Sequence, residues 1–538
     1  MRSIARWQPW NAITKGWLIM AGLSWVGKKR KITYWTRFGY GMGGLLNSGA
    51  LTFTHTYLIM FVSTECGLSA GEAAIIASAA IYLDAVLAPL MGFFSDNFYA
   101  TRLGRRFGRR RFWILAAIPM MVAEPLIFLV TPFGFGYYLV CYLIYNVGYS
   151  FASTSLVPLA IEMTDDFQER GYLTGMKRVF GNVTGFLMAA LTAFGFGVFG
   201  EDNPHSYFII ACINASIMIF GLVTLYLSTW EKTVDEVAEE KIVNVWEGIK
   251  KLVIDVLSTF RNKAFRRLLY TWMPSQFAAS VWSAAYSYFI VYTLGITKAW
   301  ASGSEMPGKI VAIVCMAIWV PLLVKKGFHK PYWFAVIGAA VSMAVFVTFG
   351  VLQFTDAIPV AAVMVAYPIV FCVWKFFYAG FQYLPDAMLN YVPDVDELIT
   401  LRRREGVYSA SQRLVQQLLQ AIVTTVFGFV LLASGFISTK GQHVEQPISV
   451  PVTIAITLLV GCCVMFILSA VLSHFLTLDK DTCAVVTGEV ERVKNGGLMK
   501  DVKPEVRRVC EDLSGLKYEQ CFAHNNIGYQ EEEITPAA

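Results

Sequence analysis

Runs of twenty or more predominantly apolar residues recur along this chain of 538 residues, and no other feature narrows the fold as much. Each run is long enough for a helix to cross a hydrocarbon layer about 30 Å thick. Water is absent there, so backbone polar groups must pair within the segment, which long runs satisfy as helices. A barrel would show alternating segments of about ten residues, and these are absent. Only 15% of the residues are charged, against roughly a quarter in ordinary soluble domains.

The expected spans are 37–62, 72–94, 112–130, 136–161, 178–199 and 207–230, then 267–292, 307–324, 331–353, 358–383, 407–435 and 450–477. The chain therefore divides into an N-terminal segment 1–36, a six-helix bundle 37–230, a polar linker 231–266, a second six-helix bundle 267–477 and a charged tail 478–538. The expected class is an all-α integral membrane protein of about twelve transmembrane helices. Ahead of the first span, Trp17 to Val26 is apolar but too short to cross, and the basic run Lys28 to Lys31 follows it. A signal peptide carries its charges before the apolar region, so this stretch reads as a helix lying on the membrane surface. The tail mixes charged and apolar residues at short-helix spacing; it either docks on the bundle or stays solvated.

The net charge of +6 does not point to nucleic acid. Arg102, Arg105, Arg106, Arg109, Arg110 and Arg111 crowd one short loop, and basic loops stay cytosolic. With an even number of spans, both termini then lie in the cytosol. Ten cysteines fall at no zinc-ligand or redox spacing and read as free thiols. Without a P-loop, HExxH, GxSxG or CxxC motif, the sequence suggests no enzyme chemistry, cofactor or metal.

Two loops hint at a repeat. EMTDDFQERGYLTGMKR (162–178) and PDVDELITLRRREGVYSASQR (393–413) both run from acidic residues through Glu and Arg to Gly and Tyr, then to an arginine entering the next helix. Parallel six-span repeats build the major-facilitator architecture, with the solute site between the halves. The loop after the second span holds Asp96, Arg105 and Arg109, whose charges can latch the bundles across the cytosolic seam or serve only as a positive-inside signal.

The segments YGMGGLLNSG, GLSAGEAAIIASAAIYLDAVLAPLMGFFSD and RRFGRRRFWIL between Tyr40 and Leu115 resemble the glycoside–pentoside–hexuronide:cation symporter family, the melibiose-permease-like branch of the major facilitators. Residues 155–173 and 384–411 are similar to its other signature loops. The resemblance implies a major-facilitator fold, alternating access, cation coupling and an inner bacterial membrane. Carried over by position, the cation residue is Asp84, but the polar neighbours that follow it in the family are Leu87 and Ala88 here. A lone carboxylate is a poor sodium ligand yet can carry a proton, so H+ is favoured over Na+. The sugar-site positions fall on Asn47, Ser48, Ser150, Thr154, Arg178 and Gln417, of which only Arg178 keeps the family's residue.

Ionisable groups deep in spans need a cavity or a partner. Glu124 in the third span and His55 in the first are possible proton relays, Glu124 alternatively capping a broken helix and His55 alternatively packing. Lys375 in the tenth span requires a counter-charge from Asp84 or Glu124, and could instead bind an anionic substrate or snorkel to the surface. Arg178 and Arg413 open the helices after the repeated loops; they contact substrate or close a gate with Glu162, Asp165 or Asp394. Trp282, Tyr286 and Tyr288 can stack on a ring. The function expected is secondary active transport, by proton-coupled symport of a sugar, glycoside or uronide-like solute. The alternatives are an organic acid or apolar amphiphile as cargo, uncoupled facilitation, or a membrane sensor or enzyme.

Overall fold

The computed structural model describes residues 32–46, 50–164, 167–201, 203–231, 245–402, 404–438 and 445–522. The apolar segment 17–26 and the candidates Asn47, Ser48 and Asp165 lie outside them, as does the side chain of Asp96. The described residues are helical with short connections and contain no strand.

The first span is α1 (Tyr34–Met42), a 3-10 turn and α2 (Ala50–Thr64), followed by α3 (Ala70–Asn97) and a short loop helix α4 (Arg102–Phe107). The third span is two pieces, α5 (Arg111–Met120) and α6 (Ala123–Ile127). Prolines at 119 and 125 flank the break, each removing a backbone donor. Helices α7 (Phe135–Met163), α8 (Phe167–Phe199) and α9 (Pro204–Ser228) complete the first bundle, and α10 (Val245–Thr259) lies in the linker. The second bundle is α11 (Lys263–Tyr288), α12 (Lys298–Val314) with α13 (Met316–Lys326), α14 (His329–Phe354), α15 (Val360–Leu389), the loop helix α16 (Val392–Thr400), α17 (Glu405–Ala433) and α18 (Ser449–Ser473). The tail forms α19 (Lys480–Lys494) and α20 (Pro504–Ser514).

Nine helices among the described residues are long and apolar enough to cross a membrane. The broken third span, the tyrosine-rich α7 and the polar α11 fall outside that group. Exposed residues such as Val183, Ile313, Val341, Val365 and Ile456 cover the outer surfaces. In water they would form a large apolar patch; in lipid they need no partner.

Small residues set the helix seams, because lipid offers no hydrophobic drive for association and close packing must supply it. A Cβ on Gly44 would collide with the Lys177 carbonyl of α8, and one on Gly428 of α17 would collide with Ala74 of α3. The second contact holds the two bundles together away from the arginine loop. Polar bonds reinforce that face: Tyr57 with Ser302 at 2.9 Å, Ser63 with Tyr288 at 2.8 Å, and Lys298 donating to the Tyr207 hydroxyl at 2.7 Å. Glu201, from the first bundle, accepts the backbone N–H groups of Lys298 and Ala299 at 2.7 Å each, capping α12 of the second.

Toward the arginine-loop face the halves part. Gly171 and Gly175 at the start of α8 and Gly406 at the start of α17 have no atom within 4 Å of a built Cβ. Arg178, Ser409 and Arg413 are exposed there. The tail helices pack on α16, and the tail residues Cys483, Val486, Cys510, Leu513, Tyr518 and Cys521 are buried. Asp512 anchors this cap through Lys263 at 2.9 Å, Arg267 at 2.7 Å and Thr477 at 2.8 Å.

Candidate functional site

Two adjoining chambers lie between the bundles. One, of about 300 Å³, is lined by Asp84 of α3, Asn146 and Tyr149 of α7, Asp386 of α15 and the polar face of α17. That face presents Ser409, Gln412, Arg413, Gln416, Gln417 and Gln420. The other, of about 270 Å³, is nearer the closed face and is lined by Thr52 and Thr56 of α2, Trp282 and Tyr286 of α11, Glu305 of α12, and Phe371, Lys375 and Tyr378 of α15. Leu51 and His55 line both, so the two cavities adjoin at these residues. Together they fall within the ordinary size range of small-molecule sites.

The structure brings several of the expected residues together. Gln417 donates through Nε2 to Asp84 Oδ2 in a short hydrogen bond across the bundle seam. Asp84 Oδ1 is buried without a partner. Arg413 lines the same chamber, and Arg178 acts electrostatically on Asp386 from the opposite bundle. Lys375 reaches the second chamber, its ammonium 5.0 Å from the ring centres of both Phe371 and Tyr378.

Others sit elsewhere. Glu124 is fully buried inside the first bundle, accepting from Thr54 at 2.7 Å and Asn214 at 2.6 Å, and it lines neither chamber. Of the two roles open to it, the geometry is that of a polar tie beside the break in the third span. Neither Asp84 nor Glu124 pairs with Lys375, since Asp84 lines the other chamber and Glu124 lines neither; the carboxylate acting on Lys375 is Glu305. Ser150 is buried on α7 with its hydroxyl unpartnered, and Thr154 is one turn on; neither lines the chambers. Tyr288 belongs to the closed face through Ser63.

The gate residues find partners other than those expected. Glu162 Oε1 accepts from Arg109 at 3.0 Å and from Arg110 at 2.6 Å, and among the described residues no ion pair joins it to Arg178 or Arg413, the pairing the sequence suggested. Asp394 instead accepts from the Cys483 thiol of the tail at 3.2 Å. Arg105 donates to the Tyr99 carbonyl at 3.1 Å. The arginine loop is organised by Glu231, which follows α9 and accepts the backbone N–H of Arg109 at 2.8 Å, of Arg110 at 3.0 Å and of Arg111 in a short bond. These are the orphan donors at the start of α5, where a carboxylate is favoured. Burial, then the charge of Glu162, pushes the Glu231 carboxyl up to about 7. In the second bundle Asp396 plays a comparable part, accepting from Arg404 at 2.8 Å and from the Tyr408 hydroxyl at 2.7 Å.

Sequence reading missed Glu305, Asp386 and the glutamine row. Glu305 accepts from the Tyr286 hydroxyl at 2.7 Å and lies 3.9 Å from Lys309, which itself donates to the Gly185 carbonyl of α8 at 2.6 Å. It was missed because the eighth span was placed from residue 307, whereas α12 begins at Lys298. The glutamines were legible: Gln412, Gln416 and Gln420 recur every four residues and so share one helix face with Gln417.

Comparison with known proteins agrees with this architecture. The isoprimeverose transporter of Lactiplantibacillus pentosus is 25% identical over 232 residues, 42% of this chain and 47% of that protein, so the chain spans about half of that relative. An uncharacterized symporter of Synechocystis sp. is 22% identical, covering 76% of this chain and 87% of its own. The crystal structure of a D-xylose-proton symporter superposes with a TM-score of 0.56 at 15% identity, over 82% of this chain and 97% of that one. A crystal structure of the nucleoside transporter NupG, in a point-mutant form, gives 0.55 at 11%, over 81% and 99%. At such identities the likeness shows a shared major-facilitator fold. Residues 39–480 match the model of the MFS/sugar transport protein family. With its helical bundles, lipid-facing surface and central cavity, the chain belongs to the MFS/sugar transport protein family and is a multi-pass membrane transporter, not an enzyme.

Proposed function

We propose that this transporter works by alternating access and carries a sugar, glycoside or uronide-like solute in symport with a proton. The observation that carries the reading is a polar cavity shared by both bundles, closed at one face by bonds between the bundles and open at the other. Asp84 stands on the seam between them. One of its oxygens accepts from Gln417 and the other is buried without a partner. The bond to Asp84 comes from an amide N–H and not from a second carboxylate, and a single carboxylate can carry one proton, which supports a proton over sodium as the coupled ion. The amide-rich wall of α17 offers both donors and acceptors, which suits hydroxyl groups.

In this reading the arginine-loop face is cytosolic, by the positive-inside rule, and both termini lie on that side of an inner bacterial membrane. The bundles are 37–230 and 267–477, with 231–266 as linker. The test is uptake of a solute panel into proteoliposomes under an imposed pH or sodium gradient. Accumulation should follow the pH gradient, and Asp84→Asn should abolish accumulation while leaving solute exchange. Gradient-driven accumulation that survives Asp84→Asn refutes the coupling role.

A further inference from the structure

We propose that the turn between α13 and α14 binds the phosphate of an anionic phospholipid, which supplies there the negative charge that Glu231 supplies at the matching turn of the first bundle. The inference needs only that the chain spans a membrane; neither the solute nor the coupled ion enters it. In each bundle the second and third spans are joined by one construction: a helix end, a glycine at positive φ, then basic residues opening the next helix. In the first bundle α4 ends at Phe107, Gly108 has φ 94°, and Arg109, Arg110 and Arg111 lead into α5. In the second, α13 ends at Lys326, Gly327 has φ 69°, and His329 and Lys330 open α14. An even number of spans separates the two turns, so they lie on the same face.

The turns differ in what neutralises them. The Glu231 carboxylate lies 2.8 Å from where a Cβ on Gly108 would be, and it accepts the N–H groups of the three arginines. Glu231 is the third residue after the end of α9 at Ser228; the third after the end of α18 at Ser473 is Leu476, which is buried and uncharged. No atom lies within 4 Å of a Cβ built on Gly327, and no side chain caps α14. Lys325, Lys326 and Lys330 are exposed, and among the described residues no hydrogen bond or ion pair engages their ammonium groups. The carbonyl end of α13 offsets part of the charge of Lys325 and Lys326, whereas Lys330 sits at the positive end of α14, where an anion is favoured. Beside it the Nδ1 atom of His329 is buried without a partner. Val324 before the turn and Trp333 and Phe334 after it are exposed apolar residues of the kind that acyl chains cover. A phosphate carried on a lipid gains both contacts, and a free phosphate gains only the charge.

The test is native mass spectrometry of the full-length protein in detergent, with added dimyristoyl phosphatidylglycerol or phosphatidylcholine. The wild type should bind one phosphatidylglycerol about tenfold or more tightly than phosphatidylcholine, as expected for several lysines at a membrane surface. Lys325→Gln, Lys326→Gln and Lys330→Gln together should bring the ratio near one, and arginine at the same three positions should keep it. Arg102→Gln with Arg106→Gln, which removes exposed charge from the turn that Glu231 serves, should also keep it. Inorganic phosphate at the lipid's concentration should not displace the lipid. Equal affinity of the wild type for the two lipids overturns the proposal without reference to any variant. A preference retained by the triple glutamine variant, a preference lost with Arg102 and Arg106, or displacement by inorganic phosphate overturns it as well.

Discussion

Replacing Glu231 by alanine tests whether the arginine loop is held by backbone capping. The substitution removes the acceptor of three N–H groups, those of Arg109, Arg110 and Arg111. Arg110 and Arg111 are 8% and 2% exposed, so their amides cannot turn to water, whereas that of Arg109 is nearer solvent. A buried donor left unpaired costs about 1–3 kcal/mol, which gives roughly 2–6 kcal/mol for two. Relief of repulsion between Glu231 and Glu162 offsets part of this. For a cooperative unit of about 150–250 residues, each kcal/mol is worth roughly 2–4 °C. Glu231→Ala should therefore lower the melting temperature of the detergent-purified protein by about 5–15 °C at pH 7.5, read by tryptophan fluorescence. Glu231→Gln, which keeps a carbonyl acceptor, should lose less than half as much. Gly108→Ala should act in the same direction, since that residue has φ 94° and its Cβ would lie 2.8 Å from the Glu231 carboxylate. An alanine variant melting within about 1 °C of wild type would refute the capping account.

Further expectations concern charge. The Glu231 carboxyl is raised from 4.5 to about 7, so its contribution to stability is present at low pH and fades as pH rises through 7. Between pH 5 and 8 the wild type should lose about 2–3 kcal/mol relative to Glu231→Gln, and parallel melting curves for the two would contradict this. Arg267, with Lys263 assisting, holds the Asp512 carboxyl well below the usual carboxylate range. Asp512→Asn should release the tail cap and speed tryptic cleavage within 480–522 several-fold, with the bundles intact; an unchanged cleavage rate argues against the anchor. Glu201→Gln weakens the cap on α12 by roughly 1 kcal/mol, about fivefold in the balance of conformers. Labelling of a cysteine placed at Ser302 from the closed face should rise accordingly, and no rise would mean that Glu201 does not hold that face shut.

The transmembrane character of the chain, its helical class and its two-bundle plan follow from residue order, because lipid forces every spanning backbone to pair with itself. Asp84 and Lys375 were singled out on similar grounds, since a charged group inside an apolar run must be accounted for, whereas Gln417 came from the family resemblance and Arg413 from the repeated loops. Partners were another matter. Lys375 answers to Glu305 and not to Asp84 or Glu124, and Glu162 takes up Arg109 and Arg110 and not Arg178. These pairings join helices far apart in the chain, and periodicity within one helix carries no information about which neighbour it will face.

Glu305 shows the same limit at a helix boundary. The eighth span was placed from residue 307, yet α12 begins at Lys298, where the Thr297 side chain caps it by accepting from the Trp300 N–H. Sequence alone determined that this protein crosses a membrane many times and keeps charges along its interior. Tertiary packing decided which charges meet, which face is shut and where an ammonium is left without a partner, because those outcomes depend on contacts between helices and not on the character of any one of them.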